Sequence, residues 1–300
     1  GPQESMTIRQ SAVGSRHICL LTSDAQVRCF GDNRMNQLEY PEGLGPIVDL
    51  DAGFSHTCAV EQSGRLHCWG GDDYEQVSLT PDGLTAIARV ELGGDHGCVL
   101  RRDGDVVCWG FNSQGQASVP SQLEPSKDLA VGLYHSCALS KTGTVTCWGN
   151  NTHTQLNTPA SLGVVASIEA NGDTTCAKRI DGELVCWGSN DNGQLDIPVG
   201  LGSVESFSLG STHVCASSSG EVTCWGFNNG QLLNVPDGVS DAISLDAGIN
   251  ATCAVTALGQ LECWGNDDEV NLNLPSQWDL TLGFKDAPFG FMRRADYQFE

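Results

Sequence analysis

The sequence predicts an all-β fold, a seven-bladed β-propeller of four-stranded antiparallel blades with one disulfide per blade. Three observations carry that expectation. Fourteen cysteines fall into seven pairs: Cys19 with Cys29, Cys58 with Cys68, Cys98 with Cys108, Cys137 with Cys147, Cys176 with Cys186, Cys215 with Cys224, and Cys253 with Cys263. Successive pairs begin 38 to 40 residues apart. Six pairs run directly into Trp-Gly, and the first runs into Phe30-Gly31. A proline then follows in every repeat: Pro41, Pro81, Pro120, Pro159, Pro198, Pro236 and Pro275. A fixed period of about 40 residues marks a solenoid, propeller or array. Turn signals every eight to twelve residues or so divide that period into four short strands, the blade of a propeller.

Within a repeat, Cys58-Ala59-Val60-Glu61 and Arg65-Leu66-His67-Cys68 alternate with period two, as half-buried strands do. Gln62-Ser63-Gly64 between them reads as a three-residue hairpin turn with glycine in the left-handed position. The sixth pair is only nine residues apart, and its turn shrinks to Ser219-Gly220. Folding either hairpin about its turn leaves the two cysteines opposed, where neighbouring antiparallel strands can meet disulfide geometry. Buried free thiols and a zinc site are the weaker readings: no cysteine appears without its partner, and the close C-x-x-C knuckle is missing. Each staple closes a loop of about ten residues, worth about 2–3 kcal/mol on chain entropy. Repeat one has Ala25 in the glycine's place, which leaves room for a different turn. A block such as Ile47–Gly53 before each pair supplies another strand, and the stretch between tryptophan and proline supplies the fourth.

The string A-G-x-x-H-x-C-A-x followed by G-x-x-x-C-W-G-x-N-x-x-G-Q-L resembles the repeat of the regulator of chromosome condensation family of seven-bladed propellers, over about residues 7 to 284. The short period and the placement of proline make it most similar to secreted bacterial members, one of which inhibits class A β-lactamases. That resemblance implies contacts on one propeller face, with an aromatic just before the histidine in most blades. Here only Tyr134 occupies that slot; the others are Arg16, Ser55, Asp95, Asp173, Thr212 and Asn250.

The expected organisation is an N-terminal extension over 1–6, a single propeller over 7–284 with repeats starting near 8, 47, 87, 126, 165, 204 and 242, and a C-terminal cap or linker over 285–300. Gly1-Pro2 resembles the remnant of a cleaved expression tag. With 15 Lys+Arg against 37 Asp+Glu the formal charge is −22, which disfavours nucleic acid and anionic membranes. Seven cysteine pairs imply an extracellular, periplasmic or cell-surface setting. No apolar run approaches the length of a membrane-spanning helix. The tryptophans, recurring at one position, read as packing residues between blades. Asn171 replaces a glycine as a residue tolerant of left-handed backbone. Repeats two and seven lack the Gly-Gln of the turn and carry acidic runs. Trp278–Leu282 is a candidate strand helping to close the ring.

Chemistry is sparse. His17, His56, His96, His135 and His213 recur two residues before the first cysteine, and such repetition suits a structural hydrogen bond at a turn, not a catalytic base. His67 and His153 show no paired carboxylate or nucleophile in the sequence. No hydrolase elbow, phosphate loop or zincin motif appears, and no cofactor is implied. Asp72-Asp73, Asn190-Asp191-Asn192 and Asp267-Asp268-Glu269 read as turn caps before calcium ligands. Asn150 and Asn250 begin glycosylation sequons.

Strand alternation places the turn before the first cysteine and the turn after the tryptophan on one face. There the repeats disagree, and five aromatics, Phe54, Tyr74, Phe111, Tyr134 and Phe227, stand where core packing does not need them. Phe111 and Phe227, directly after Trp-Gly, could instead fold back onto a blade edge. Asp95 and Asp173 share that face, and Asp72, Asp73, Asp267 and Asp268 form a negative crescent across the ring closure. These residues are the candidate partner-binding set, suited to a protein with a basic surface. The expected function is therefore a secreted or cell-surface protein-binding module and not an enzyme; the alternatives are an inhibitor of a secreted enzyme and a carbohydrate-binding propeller.

Overall fold

The computed structural model describes residues 7–266. Asp267, Asp268, the expected strand at 278–282 and the extension at 285–300 lie outside the described residues. Seven antiparallel sheets, one per repeat, form the blades of the propeller. In blade two the order is an inner strand Ile47–Ala52, a middle strand His56–Glu61 and an outer strand Leu66–Gly70. The inner strands of consecutive blades adjoin one another right round the ring, and that of blade one, Ile8–Val13, adjoins that of blade seven, Ala242–Ala247. Asn250 Nδ2 donates to Ser15 O at 3.2 Å and Ile8 N to Gly259 O at 3.0 Å, so the ends of the repeat array meet directly.

Each blade has three strands among the described residues, not the four expected. The stretch after the tryptophan satisfies its backbone locally. In blade three, Asn112 Oδ1 accepts the Ala117 amide, Gln116 Oε1 accepts the Gln114 amide and Pro120 O accepts the Leu123 amide. Proline and these side-chain acceptors take the place of a ladder. The asparagine recurs as Asn33, Asn151, Asn190 and Asn228, with Asp72 in blade two. The buried glutamine recurs as Gln37, Gln76, Gln155 and Gln194. Blade two therefore lacks the glycine but keeps the glutamine, with Glu75 forced to φ 60° in the glycine's place.

The cysteines are opposed in register in all seven blades, and every expected pair is a disulfide with Cα atoms 4.0 to 4.1 Å apart. Around the ring Cys19 bonds to Cys29, Cys58 to Cys68, Cys98 to Cys108 and Cys137 to Cys147. The circuit continues with Cys176 to Cys186, Cys215 to Cys224 and Cys253 to Cys263. The middle-strand partner is fully buried in every blade. Of the outer-strand partners Cys29 is buried, while Cys68, Cys108, Cys147, Cys186, Cys224 and Cys263 are half-buried, so the staple runs from the core toward the rim. Blade six makes its shorter turn with Ser219 and Gly220 both left-handed, at φ 54° and 80°, as a two-residue hairpin requires. Ala25 keeps the same turn as its glycine counterparts: its amide donates to Thr22 O at 2.9 Å, with φ 61°.

The core lies between blades. Cys19, Leu21 and Val27 of blade one pack with Ile47, Leu50, Ala59 and Trp69 of blade two, and Ile18, Leu20 and Phe30 pack with Ala251, Cys253 and Val255 of blade seven. Each of the six tryptophans that follow a cysteine pair is a buried inter-blade residue whose Nε1 donates to the preceding repeat's turn, as Trp69 does to Gln37 O at 2.9 Å.

The repeated histidines are also inter-blade bonds. His17, His135 and His213 reach Thr57, Thr175 and Thr252 of the next blade at 2.7, 2.8 and 2.7 Å, and His96 reaches Ser136 at 3.0 Å. Where the histidine is missing, at Thr174 and Ala251, the next blade offers Val214 and Ile18, with no hydroxyl to bind. His56 faces Gly97 instead, and its ring nitrogens are buried without a partner. The glycine three residues before each histidine makes room for the ring, since a Cβ at Gly132 would overlap His135 Cε1 and Nδ1. Asn171 therefore has a different explanation from backbone tolerance. It ends an extended strand, Val165–Asn171, and its side chain fits because Thr174 replaces the imidazole.

On the axis, the inner edge of one blade is joined to the next by side chains. Asp49 and Asp51 accept the amides of Val90 and Leu92 at 2.8 and 2.5 Å, Asp128 that of Ile168 at 2.9 Å, and Asp246 that of Val13 at 2.5 Å. Arg89 reaches Glu91 and Asp128, and Glu169 two blades away at 3.5 Å. Burial pushes Glu91 and Asp246 up to about 7, and burial with the nearby Glu91 charge holds Asp51 and Glu169 well above the carboxylate range. Burial also lowers the histidines, to about 4 for His17, His135 and His213 and about 3 for His56 and His96.

Three outcomes follow from these contacts. Ala25→Gly relieves a left-handed alanine and raises stability by about 0.5–1 kcal/mol, read as a later denaturant midpoint; an earlier midpoint refutes the strain. Thr57→Val leaves the His17 nitrogen buried and unpaired, at a cost of about 1–3 kcal/mol; an unmoved midpoint refutes the bond. Asp246 has a folded pKa raised to about 7 from an ordinary 3.8, so its contribution is full below 3.8 and is lost as pH rises through 7. Asp246→Asn keeps an oxygen for Val13 and gains on the wild type between pH 4 and pH 8 by up to about 4 kcal/mol. Urea unfolding at both pH values checks this, and an equal difference at the two refutes it.

Candidate functional site

In every blade an amide just after the outer strand donates to the carbonyl of the residue before the middle strand. Examples are Phe111 N to Asp95 O at 2.8 Å, Asn150 N to Tyr134 O at 2.8 Å and Phe227 N to Thr212 O at 2.9 Å. The two variable turns thus share one face and are tied to each other, and the disulfide-stapled sheet beneath holds them still.

On that face the structure brings three of the five predicted aromatics together. The rings of Tyr74 and Phe111 have centroids 4.7 Å apart, and those of Phe111 and Tyr134 are 6.1 Å apart, both tilted. The row crosses blades two, three and four. Tyr74 is 49% exposed, while Phe111 and Tyr134 are half-buried. Phe54 is half-buried and lies over Gly94, close enough that a Cβ there would sit 3.2 Å from its ring and 2.7 Å from Leu133. It is the aromatic that folds onto the neighbouring blade. Phe227 belongs to blade six, outside the row, and stays 48% exposed instead of folding back.

The acidic candidates divide by role. Asp72 Oδ1 accepts the amides of Val77 and Ser78 at 2.8 and 2.9 Å, so it is a turn cap in the asparagine's position. Asp73 is exposed beside it. Asp95 is half-buried, and burial and then the Asp73 charge raise its pKa. The buried Gln76 links it to the aromatic row: Nε2 donates to Asp95 Oδ1 at 3.4 Å, and Oε1 accepts the Tyr74 amide at 2.8 Å. Asp173 accepts from Gln155 at 2.9 Å and lies 3.4 Å from His153, which is also 3.8 Å from Asp191. His67 lies 3.1 Å from Glu61. Both histidines therefore have carboxylate neighbours that the sequence reading missed. For His153 the signal was available in the repeat order, because the turn after one blade's tryptophan abuts the next blade's turn before cysteine. Of the two sequons, Asn150 accepts from Thr152 at 2.7 Å and remains partly accessible, whereas Thr252 is buried and Asn250 is committed to Ser15.

Comparison with known proteins accords with this architecture. The model of the Regulator of chromosome condensation (RCC1) repeat matches residues 8–37, 47–76, 87–116, 127–155 and 165–194. A search of curated proteins finds no match. Among solved structures, the ectodomain of the receptor kinase CR4 from Physcomitrella patens is 26% identical with a TM-score of 0.72, over 87% of this chain and 73% of that one. The CRINKLY ectodomain of the receptor kinase ACR4 from Arabidopsis thaliana is 25% identical with a TM-score of 0.72, over 87% of this chain and 96% of that one. Prp20p from Saccharomyces cerevisiae shares the fold at 19% identity and a TM-score of 0.70, over 86% of this chain and 82% of that one. The chain, five of whose seven repeats match that model, belongs to the regulator of chromosome condensation repeat family.

Proposed function

We propose that this propeller is an extracellular protein-binding module whose contact surface is the aromatic row of blades two to four. The observation that carries the reading is the contiguity of Tyr74, Phe111 and Tyr134, a partly exposed apolar strip crossing three neighbouring blades. Tyrosine and phenylalanine bring large contact areas with few rotatable bonds, which is why such rings dominate protein hot spots. The turns are ordered before any partner arrives, so little conformational entropy is lost on docking. An extracellular setting is supported by the pairing of all fourteen cysteines and by the similarity to two receptor ectodomains. A protein partner is supported by the fold's use in Prp20p, which was studied for its binding to Gsp1p and histones. Asp73, Asp95 and Asp173 are included as polar contacts at the edge of the strip. Asp72 is left out because its carboxylate holds its own turn, and Phe54 because it folds onto Gly94 of the neighbouring blade.

Capture from the native extracellular fluid with immobilised wild type, the double variant Tyr74→Ala with Tyr134→Ala, and Phe227→Ala tests this. A partner held by the wild type and by Phe227→Ala, and weakened about thirtyfold or more by the double variant, is the expected result, since hot-spot truncations cost about 2 kcal/mol or more. Equal retention by the double variant overturns it.

A further inference from the structure

From the row of rings and the carboxylates beside it, we infer that the site receives a lysine or arginine side chain of the partner, its stem laid across Tyr74 and Phe111 and its charged head at Asp95 and Asp73. The inference rests on the reading that this face binds protein. Four observations support it. Asp95 is half-buried and spends only one long bond, 3.4 Å from Gln76, on its own chain. No cation among the described residues offsets its charge; the second carboxylate, Asp73, adds to the repulsion and helps raise its pKa. The carboxylate is fixed to the rings by backbone, through Phe111 N to Asp95 O at 2.8 Å and Tyr74 N to Gln76 Oε1 at 2.8 Å. The rings are tilted at 59° and 58° to their neighbours, so the row offers more than one ring orientation to an incoming group.

Each half of this arrangement needs the other. A carboxylate partly removed from water with a like charge beside it is costly to hold ionised, and a cation arriving there gains more than it would at an open surface. Aromatic faces carry partial negative charge and attract ammonium and guanidinium groups. The methylenes of lysine and arginine cover ring surface while their heads remain polar. An acidic or purely apolar partner side chain would leave the two carboxylates desolvated and unpaired. The formal charge of −22 would steer a basic segment toward the molecule in the first place.

A random dodecapeptide library displayed on phage supplies the probe. Selection on the wild type should enrich peptides in which Lys or Arg adjoins an apolar residue. Binding of those peptides should fall about tenfold or more on Tyr74→Ala and again on the double variant Asp73→Asn with Asp95→Asn, and should weaken with added salt. Peptides that are lost on Tyr74→Ala but lack Lys and Arg, or are indifferent to the double asparagine variant, would overturn the cation site and leave the binding face standing. Failure to select any peptide, or selection of peptides indifferent to Tyr74→Ala, would overturn the binding face itself. Unchanged disulfide content and an unchanged unfolding midpoint of each variant confirm that the comparison is made on the folded propeller.

Discussion

A three-stranded sheet leaves the backbone amides of its inner edge unpaired, and in an isolated blade those amides would be an invitation to wrong pairing. Here they are taken up by the blade before: Asp49 and Asp51 by accepting from Val90 and Leu92, Asp128 from Ile168, Asp246 from Val13, and Ser208 from Ala247 at 3.0 Å. Blades one, three, five and seven thus complete inner-edge hydrogen bonds through the blade before, and the six tryptophans after the cysteine pairs donate across a blade boundary. Closure of the ring therefore satisfies donors that these blades alone would leave open. The bond from Asp246 to Val13 matters as much as any other because it joins the last described blade to the first. The disulfides act at a different level, by holding the middle and outer strands of one blade together while the side chains hold the blades to each other.

This division of labour accounts for what repeats and what varies. Glycine, histidine, tryptophan, glutamine and the asparagine cap are fixed by contacts inside or between blades. Some changes are matched in a neighbour: Thr174 admits Asn171, and the blades after Thr174 and Ala251 give up the hydroxyl, whereas His56 persists opposite a repeat with Gly97 in that place. Several residues between them in the two turns, Asp73, Tyr74 and Phe227 among them, are exposed and lie outside these repeated contacts. They sit on rigid supports, and on that account they can carry recognition.

The fold was largely legible because its signals are local and repeated. Cysteine spacing set the hairpin register, and the single deletion in blade six, where Cys215 still faces Cys224, confirmed that the register, not the turn, is kept. The fourth strand was misjudged because a proline-containing stretch with regular spacing looks the same whether its amides join a ladder or are taken up by Asn112 and Gln116. Asn171 was misjudged because glycine can be selected for space as well as for positive φ, and only the position of the His135-type imidazole distinguishes the two. The aromatics of the face were found as a set. Their grouping into Tyr74, Phe111 and Tyr134, with Phe54 over Gly94 and Phe227 apart, depends on side-chain direction across three blades, which one repeat cannot encode.

The acidic composition also separates into two populations with different consequences. Asp51, Glu91, Glu169 and Asp246 stand on the axis, where burial holds their protons at pH values at which ordinary carboxylates are ionised. Near neutrality the folded molecule therefore carries less negative charge than the −22 counted from the sequence. The missing charge comes from half-buried side chains of the inner strands. What remains is weighted toward the faces and the rim, with Asp73, Asp95, Asp173 and Asp191 among the turns of the binding face. A count of acidic residues therefore overstates the charge of the folded protein, and the carboxylates that bear on an incoming group at the aromatic row are the nearby Asp73 and Asp95, not the sum.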